Sequence, residues 1–425
     1  MYNPANKILG FMMSTTILVI GMLVFFAHFL SLQFRKTHIP DVLVLMLIGI
    51  VIGPVLGIVK AEDFGKVGSL IATIALVVIL FEGGTSLNLN VLGKSLGMTG
   101  FLGIVCFVLT SVIAALVGFF ALDLSPLAAA ILGVTLGNTS SAVVIPMVNS
   151  LRMSEKPATV LVLESALADV LSIVAVLALL QVHTQGGVEP GKLVGSVLAS
   201  LIFAAVIGVL GGIGWLLVLD KVRGFPNTIS STLAYAFIVY GLTEILGFSG
   251  AIAALALGIT LTNFEKLGLY RFSNIDQNIV PLNETELTFY SEAVFLLKTY
   301  FFVYLGISIR FGEMHLALVV IGIVLVIYAM RLGLTRFIVR DASYSLRDAA
   351  ITSMMAPKGL VSAVLATLPL EYGIAGGAII RDAAYMVVLV SITLTALLVI
   401  AYPFPITQKI YARLLGRPLP AKKEH

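Results

Sequence analysis

The chain has 425 residues, of which 59% are hydrophobic and 11% are charged, with a formal net charge of +4. Soluble domains carry about 25% charged residues, so this composition argues against a soluble protein and predicts a surface that mostly faces lipid. The small basic excess therefore gives no reason to expect a nucleic-acid partner and bears on membrane orientation instead. The single cysteine, Cys106, excludes a disulfide within the chain.

Apolar segments recur along the whole sequence, and a membrane-spanning helix needs about 20 such residues. We predict an all-α polytopic membrane protein with about 13 transmembrane helices, forming a single transmembrane unit over 1–425 without a soluble domain. The predicted spans are, in chain order, 13–34, 38–59, 66–87, 97–121, 126–150, 157–182, 191–220, 226–246, 248–263, 290–311, 314–338, 346–369 and 376–402.

Lysine and arginine are much more frequent in the loops on one side of these spans than on the other. Because basic loops tend to remain in the cytoplasm, we predict a multi-pass cell-membrane protein with a cytoplasmic C-terminus and an external N-terminus. The long connection at 264–289 is predicted to be interfacial, and 408–425 is predicted to be a short basic tail.

The sequence resembles itself at an offset of seven spans. Span 2 ends in LIGIVIGP and span 9 in LALGITLT, while span 3 contains ILFEGGTSLN and span 10 contains FVYLGISIRF. An odd offset gives the two copies opposite polarity, which predicts an inverted-topology repeat of the kind found in secondary transporters. The alternative is that apolar, glycine-rich helices resemble one another through composition alone.

Spans 5 and 12 are predicted to be broken, crossing helices. Span 5 has four short polar side chains in succession at 138–141, which compete for backbone hydrogen bonds. Span 12 contains Pro357, which lacks a donor, and Gly359, which permits unusual dihedrals. Non-helical backbone at this depth is buried in protein or lines a cavity. The alternative is helix packing through Ser and Thr with an ordinary proline kink.

Ionisable residues inside spans are costly and are therefore candidates for function. Asp169 lies near the middle of span 6, where a carboxylate can hold either a proton or a cation; the alternative is a structural aspartate paired with a lysine. Ser165 lies one helical turn before it on the same face. Glu164 and Arg331 lie at equal depth in spans 6 and 11, which predicts a buried ion pair.

Lys358, Glu82 and Lys298 are among the further charged residues within spans. Lys358 lies beside the predicted break in span 12, where its ammonium can offset the negative ends of half-helices or compete with a cation for Asp169. Glu82 and Lys298 lie in spans 3 and 10, a turn or two from the cytoplasmic face; extension of their side chains to the interface is the alternative to a functional role. Because the sequence contains no metal-ligand spacing, catalytic triad or phosphate loop, we expect neither an enzyme nor a cofactor.

Six segments carry a resemblance to a known family. They are IPDVLVLMLIGIVIGP at 39–54, LFEGG at 80–84, NTSS at 138–141, ESALAD at 164–169, YAMR at 328–331 and PKGLVSAVLA at 357–366. In this order and in these spans, the sequence resembles the monovalent cation:proton antiporter superfamily, closest to its sodium/proton exchanger branch, over about 38–402.

The resemblance implies specific roles. Asp169 would bind the cation and the proton, so a monovalent cation is the metal expected there. Ser165 and the backbone of Thr139 would supply further ligands, and the Glu164–Arg331 pair would flank the site.

Three positions depart from the family pattern. Ala168 stands where relatives carry asparagine or a second aspartate, and Ser140 stands where exchangers of this branch usually carry aspartate. Lys358 replaces an arginine at the broken twelfth helix. One titrating carboxylate then remains at the site, which predicts electroneutral exchange.

The resemblance also implies a homodimer in membrane lipid and an elevator-like movement. A core bundle at about 97–182 and 314–402 would move against a dimerisation or scaffold bundle at about 13–87 and 191–311. The predicted function is secondary active antiport, by alternating access, of H+ against Na+ or, less favoured, K+ or Li+. Sodium-coupled solute symport is the main alternative, and an intramembrane enzyme and a channel are weaker ones.

Overall fold

The structure is a computed structural model that describes residues 40–60, 65–86, 101–184, 190–224, 228–268, 282–338 and 344–416, together with Leu89 and some residues between 18 and 29. Every regular element in these ranges is a helix, which agrees with the predicted all-α class. Most of predicted span 1, half of the 264–289 connection and the end of the basic tail lie outside the described residues.

The helices are labelled in chain order. They are α1 (Asp41–Ile50, continued by a π-helical turn at Val51–Val55), α2 (Gly65–Ser86), α3 (Phe101–Ala121), α4 (Pro126–Leu136), α5 (Ser141–Ser150), α6 (Glu155–Thr184), α7 (Pro190–Arg223), α8 (Ser231–Ile245), α9 (Gly250–Thr262), α10 (Glu284–Ser308), α11 (Met314–Ile338), α12 (Leu346–Met354), α13 (Leu360–Leu365), α14 (Leu368–Glu371), α15 (Gly377–Ala401) and α16 (Pro405–Leu415).

Seven helical segments in the described part of the chain are long and apolar enough to cross a membrane. They are Gly103–Ala121, Pro126–Ser150, Glu155–Thr184, Ile202–Leu219, Glu284–Ser308, Met314–Phe337 and Gly377–Ala401. Four shorter apolar helices accompany them, at Asp41–Val55, Thr73–Thr85, Gly250–Thr262 and Leu360–Glu371. The chain is therefore a multi-pass membrane protein.

Two of the predicted spans are interrupted where the sequence indicated. α4 and α5 are separated at 137–140, and α12 and α13 are separated at 355–359. The two interruptions are in contact, since the Ser140 N–H donates to the Pro357 carbonyl oxygen at 2.8 Å. A Cβ on Gly359 would overlap the Ser140 side chain, so this approach requires glycine.

Two of the close helix crossings in the rest of the bundle depend on pairs of glycines. α1 crosses α10 at Gly49 and Gly306, and α2 crosses α9 at Gly84 and Gly258. A Cβ on any of the four would overlap a backbone carbonyl oxygen of the partner helix. Small residues at such crossings let the helix backbones approach, which is how membrane helices gain packing contacts.

The helices pack in two groups. In one group α3 packs on α4, α6 packs on α3, α4 and α5, and α11 packs on α3, α12 and α15. In the other, α9 packs on α2, α7 and α8, and α10 packs on α1 and α2. Contacts of α13 with α2 and α10, and of α6 with α7, join the groups.

In the structure Lys298 forms an ion pair and does not extend to the interface. Its Nζ lies 2.9 Å from Oδ2 of Asp41, at the start of α1, and only 12% of the Lys298 side chain is exposed. This ion pair joins α10 to α1 about two helical turns from the glycine crossing. Glu82 is partly buried in α2.

The helix α16 was not predicted, because the sequence from 408 onward was interpreted as a basic tail. It follows α15 after a short turn and packs on α11 and α12. Tyr411 and Leu415 are its buried side chains.

Candidate functional site

The candidate site is built around Asp169, which lies in the middle of α6 with 8% of its surface exposed. Nδ2 of Asn138 donates to Oδ1 of Asp169 at 2.7 Å, and Oγ of Ser141 donates to Oδ2 at 2.6 Å. Among the described residues, no lysine, arginine or histidine forms an ion pair with this carboxylate. Asp169 is thus a buried carboxylate held by neutral donors.

Asn138 connects the two interruptions. Its Oδ1 accepts from Oγ of Ser362 in α13, and its backbone oxygen accepts from Nζ of Lys358, both at 2.5 Å. The Lys358 ammonium therefore lies just beyond the C-terminal end of α4, where the helix dipole is negative. The predicted alternative of an Asp169–lysine pair is wrong for Lys358, which binds the Asn138 carbonyl instead.

Glu164 lies about one and a half turns before Asp169 in α6. Arg331, in α11, lies against it. Nη1 and Nη2 of Arg331 donate to the two carboxylate oxygens of Glu164 at 2.5 and 2.9 Å. The two residues are 1% and 2% exposed. Nε of Arg331 also donates to the Thr352 carbonyl oxygen at 2.9 Å, so this bidentate pair ties α6, α11 and α12 together.

The other two predicted cation ligands are Ser165 and the backbone of Thr139. Oγ of Ser165 donates to the Val162 carbonyl oxygen at 2.9 Å, within α6. Thr139 is buried in the first interruption. The side chains that do bind Asp169, those of Asn138 and Ser141, were not among the predicted ligands.

The sequence did contain a signal for Asn138 and Ser141, because both belong to the polar run 138–141. What the run could not show is which of its members face α6. The described residues contain no group of three or more His, Cys, Asp or Glu side chains that could hold a metal ion. A cation at Asp169 would therefore have one carboxylate and neutral oxygens as ligands.

Interrupted helices that meet at a buried carboxylate, inside a bundle of membrane-crossing helices, define a secondary transporter architecture. Residues 21–401 match the transmembrane family of sodium/hydrogen exchangers. The chain belongs to this family and thereby to the monovalent cation:proton antiporter superfamily, as the sequence motifs predicted.

Several curated relatives are similar over most of the chain. The K+/H+ antiporter NhaP2 of Shewanella oneidensis is 23% identical, over 85% of this chain and 62% of its own length. The Na+/H+ antiporter NhaS2 of Synechocystis sp. is 26% identical, over 69% of this chain and 51% of its own length. The K+/H+ antiporter NhaP of Alkalimonas amylolytica is 25% identical, over 89% of this chain and 64% of its own length. The chain thus spans between half and two thirds of the length of these relatives.

A solved structure has the same fold. The sodium proton antiporter MjNhaP1 from Methanocaldococcus jannaschii, at pH 8, superposes with a TM-score of 0.69 at 21% identity, covering 90% of this chain and 99% of that one. An electron-microscopy map of the same antiporter gives a TM-score of 0.71 at 20% identity. The matched proteins are transporters and not enzymes, which agrees with the prediction.

Proposed function

We propose that the protein is a secondary active antiporter that exchanges a monovalent cation for protons at Asp169. One observation carries this proposal: α6 has two buried carboxylates in different environments. Glu164 is neutralised by the Arg331 guanidinium, whereas Asp169 is held by the neutral groups of Asn138 and Ser141. A buried charge is costly unless it is compensated. Asp169 therefore has a reason to take up a proton or a cation, and Glu164 has none.

Cation binding in this proposal uses the Asn138 carboxamide in two orientations. In the structure its NH2 donates to Asp169 and its oxygen accepts from Ser362. A half-turn of the amide would present Oδ1 to a cation at Asp169 and direct NH2 to the Ser362 hydroxyl, which can accept as well as donate. The hydroxyl of Ser165 and the backbone of Thr139 would complete the oxygen ligands that hard cations prefer.

An inverted repeat over about 13 spans is the finer architecture that we infer. The sequence comparison pairs span 2 with span 9 and span 3 with span 10. Under that pairing, the contact of span 2 with span 10 should be matched by a contact of span 9 with span 3. The glycine crossings of α1 with α10 and of α9 with α2 are these two contacts. A chance likeness of apolar helices would not require such a match.

Alternating access would follow from movement of the two helix groups against each other. The predicted core bundle contains both interruptions, Asp169 and Arg331, and the predicted scaffold contains both glycine crossings. A cavity of about 260 Å³ lies between them, lined by the C-terminal half of α6 and by the connection from α8 to α9. Its wall residue Val174 is about 7.5 Å of helix rise from Asp169.

The finer assignments are Na+ as the preferred cation, a cell-membrane location with a cytoplasmic C-terminus, and a homodimer. The relatives include both K+/H+ and Na+/H+ antiporters, so transport of Na+, K+ and Li+ is measured separately.

The membrane orientation can be tested with introduced cysteines, because Cys106 is the single cysteine and is buried. A cysteine introduced into a loop would therefore report its side of the membrane through impermeant thiol reagents.

Proton flux in proteoliposomes tests the proposal. Addition of Na+, K+ or Li+ should dissipate an imposed pH gradient with the native chain and not with Asp169→Asn, because an amide cannot titrate. The matched control is Asp123→Asn, in the α3–α4 connection, where φ is 50° and asparagine is well tolerated. Cation-driven flux that persists in Asp169→Asn, or that requires an added organic solute, would overturn the proposal.

A further inference from the structure

The C-terminal helix α16 has an exposed face that the transport site does not explain. Three apolar side chains form a stripe at i, i+4 and i+8, and they remain largely exposed: Ile406 at 74%, Ile410 at 48% and Leu414 at 42%. A neighbouring face packs on the protein, through Tyr411 and Leu415. At 3.6 residues per turn, the exposed stripe is continuous along the whole helix.

Basic side chains border this stripe on one side only. Lys409 and Arg413 are exposed and lie one turn apart, on the edge next to Ile406 and Ile410. At 100° per residue, α16 presents three successive arcs: basic, apolar and protein-facing. Arg336, near the end of α11, reaches the same region, where its Nη1 donates to the Leu414 carbonyl oxygen at 2.9 Å. The helix itself contains no acidic residue.

The position of α16 places these three faces at the boundary between the hydrocarbon and the headgroups. It begins a few residues after α15, a 25-residue span, so it lies at the level where that span leaves the hydrocarbon. A helix lying in this plane places an apolar face at the acyl boundary and basic residues among the headgroups. The sequence adds further positive charge directly afterwards, at Arg417, Lys422 and Lys423.

We propose that α16 is an interfacial helix that binds anionic phospholipid, with Ile406, Ile410 and Leu414 against the acyl chains and Lys409 and Arg413 against the phosphates. Because α16 packs on α11 and α12, this contact would anchor the end of the bundle that carries Arg331 and the second interruption. The binding does not depend on the proposed transport activity.

Lipid titration of the purified full chain, followed by native mass spectrometry, tests this proposal. The chain should retain phosphatidylglycerol in preference to phosphatidylcholine. Each basic residue near an anionic surface is worth about 1 kcal/mol, so Lys409→Gln with Arg413→Gln should weaken phosphatidylglycerol binding by about 30-fold. The matched control is Arg152→Gln with Lys221→Gln, which removes two exposed basic residues elsewhere and should leave the preference unchanged.

A second pair of variants tests the apolar stripe. Ile406→Ser with Ile410→Ser should weaken the binding of both lipids, and inorganic phosphate at the same concentration should not displace phosphatidylglycerol. Four results would overturn the proposal: an unchanged preference in the Lys409/Arg413 variant, an equal loss in the control, displacement by inorganic phosphate alone, or a serine variant that changes the oligomeric state without changing lipid retention. The last would identify the stripe as an interface between copies of the chain.

Discussion

Glu164 and Arg331 are nearly inaccessible to solvent and depend on each other. Removing one partner of a buried pair strands the other charge, at a cost of about 3–5 kcal/mol, whereas replacing both with apolar groups costs much less. We expect Glu164→Ala to lower the free energy of unfolding by about that amount. Glu164→Ala combined with Arg331→Met should recover part of the loss.

A double-mutant cycle, measured by unfolding of the detergent-solubilised chain, checks the pairing. The coupling energy between the two sites should be on the order of 0.5–3 kcal/mol, as for residues in one hydrogen-bonded network. Additive effects of the two single changes would contradict a functional ion pair at these positions.

Asn138 gives a second prediction at the scale of single residues. Its amide donates to the Asp169 carboxylate and, in the proposed cycle, its oxygen binds the cation. Asn138→Ala removes the hydrogen bond to the Asp169 carboxylate and the proposed oxygen ligand of the cation. The protonated, neutral form of Asp169 is stabilised less by Asn138 and should be less affected. A hydrogen bond to a charged group is worth about 1.5–3 kcal/mol, so the KM for the cation should rise by about tenfold or more.

Exposed Asn149, at the end of α5, supplies the control for this change. Asn149→Ala should leave the KM for the cation unchanged in the same proteoliposome assay. An unchanged KM in folded Asn138→Ala would remove Asn138 from the proposed cation site and leave it as a structural link between the two interruptions.

The contact between the interruptions is the central feature at the scale of helices. A Cβ at position 359 would lie 2.6 Å from Cβ of Ser140 and closer still to its Oγ. Overpacking of this kind costs about 1–3 kcal/mol, so Gly359→Ala should lower the unfolding temperature. Ser140→Gly in the same chain should restore much of it, because it removes the overlapping atoms.

Gly322, inside α11, is the control, since an added Cβ there meets no atom within 4 Å. Gly322→Ala should leave the unfolding temperature unchanged or raise it, because alanine is favoured over glycine inside a helix. Equal destabilisation by both alanine variants would show that position 359 is not specially restricted.

The interruptions also show what could be predicted from the sequence. Pro357, Gly359 and the polar run at 138–141 predicted breaks in two spans, because these residue types disfavour continuous helix wherever they lie. The hydrogen bonds from Asn138 and Ser141 to Asp169 were not predictable, because neighbours in an interruption have no fixed helical spacing. They depend on how the interrupted backbone lies against α6.

Some helix boundaries and ion-pair partners in the structure also differ from those predicted from the sequence. α10 begins at Glu284 rather than near 290, because Asn283 and Glu286 form a capping box that extends the helix. Lys298 binds Asp41, which is 257 positions away in the chain, so its partner could not be inferred from local spacing. The equal depth of Glu164 and Arg331 was informative because both lie in long regular helices with a constant rise per residue.

At the scale of the whole molecule, the number of titrating groups sets the charge moved per cycle. Asp169 is the unpaired buried carboxylate of α6, and the neighbouring Ala168 cannot bind a proton. Glu164 is paired with the buried guanidinium of Arg331. Lys358 is buried too, but its ammonium binds the Asn138 carbonyl oxygen at the end of α4 rather than the Asp169 carboxylate. Binding or release of a cation at Asp169 therefore breaks no ion pair with Lys358.

We therefore expect one-for-one, electroneutral exchange, because Asp169 is neutral when it carries either one proton or one monovalent cation. Exchange of Na+ for H+ in proteoliposomes, under a membrane potential imposed with potassium and valinomycin, measures this directly. The rate and the end-point should be independent of the potential. A rate that follows the potential would require a second proton per cycle, and the buried ammonium of Lys358 is the group that could release it. Lys358→Arg, which retains the charge but does not deprotonate, should then restore independence from the potential. If exchange by the native chain is already independent of the potential, Lys358 releases no proton during the cycle.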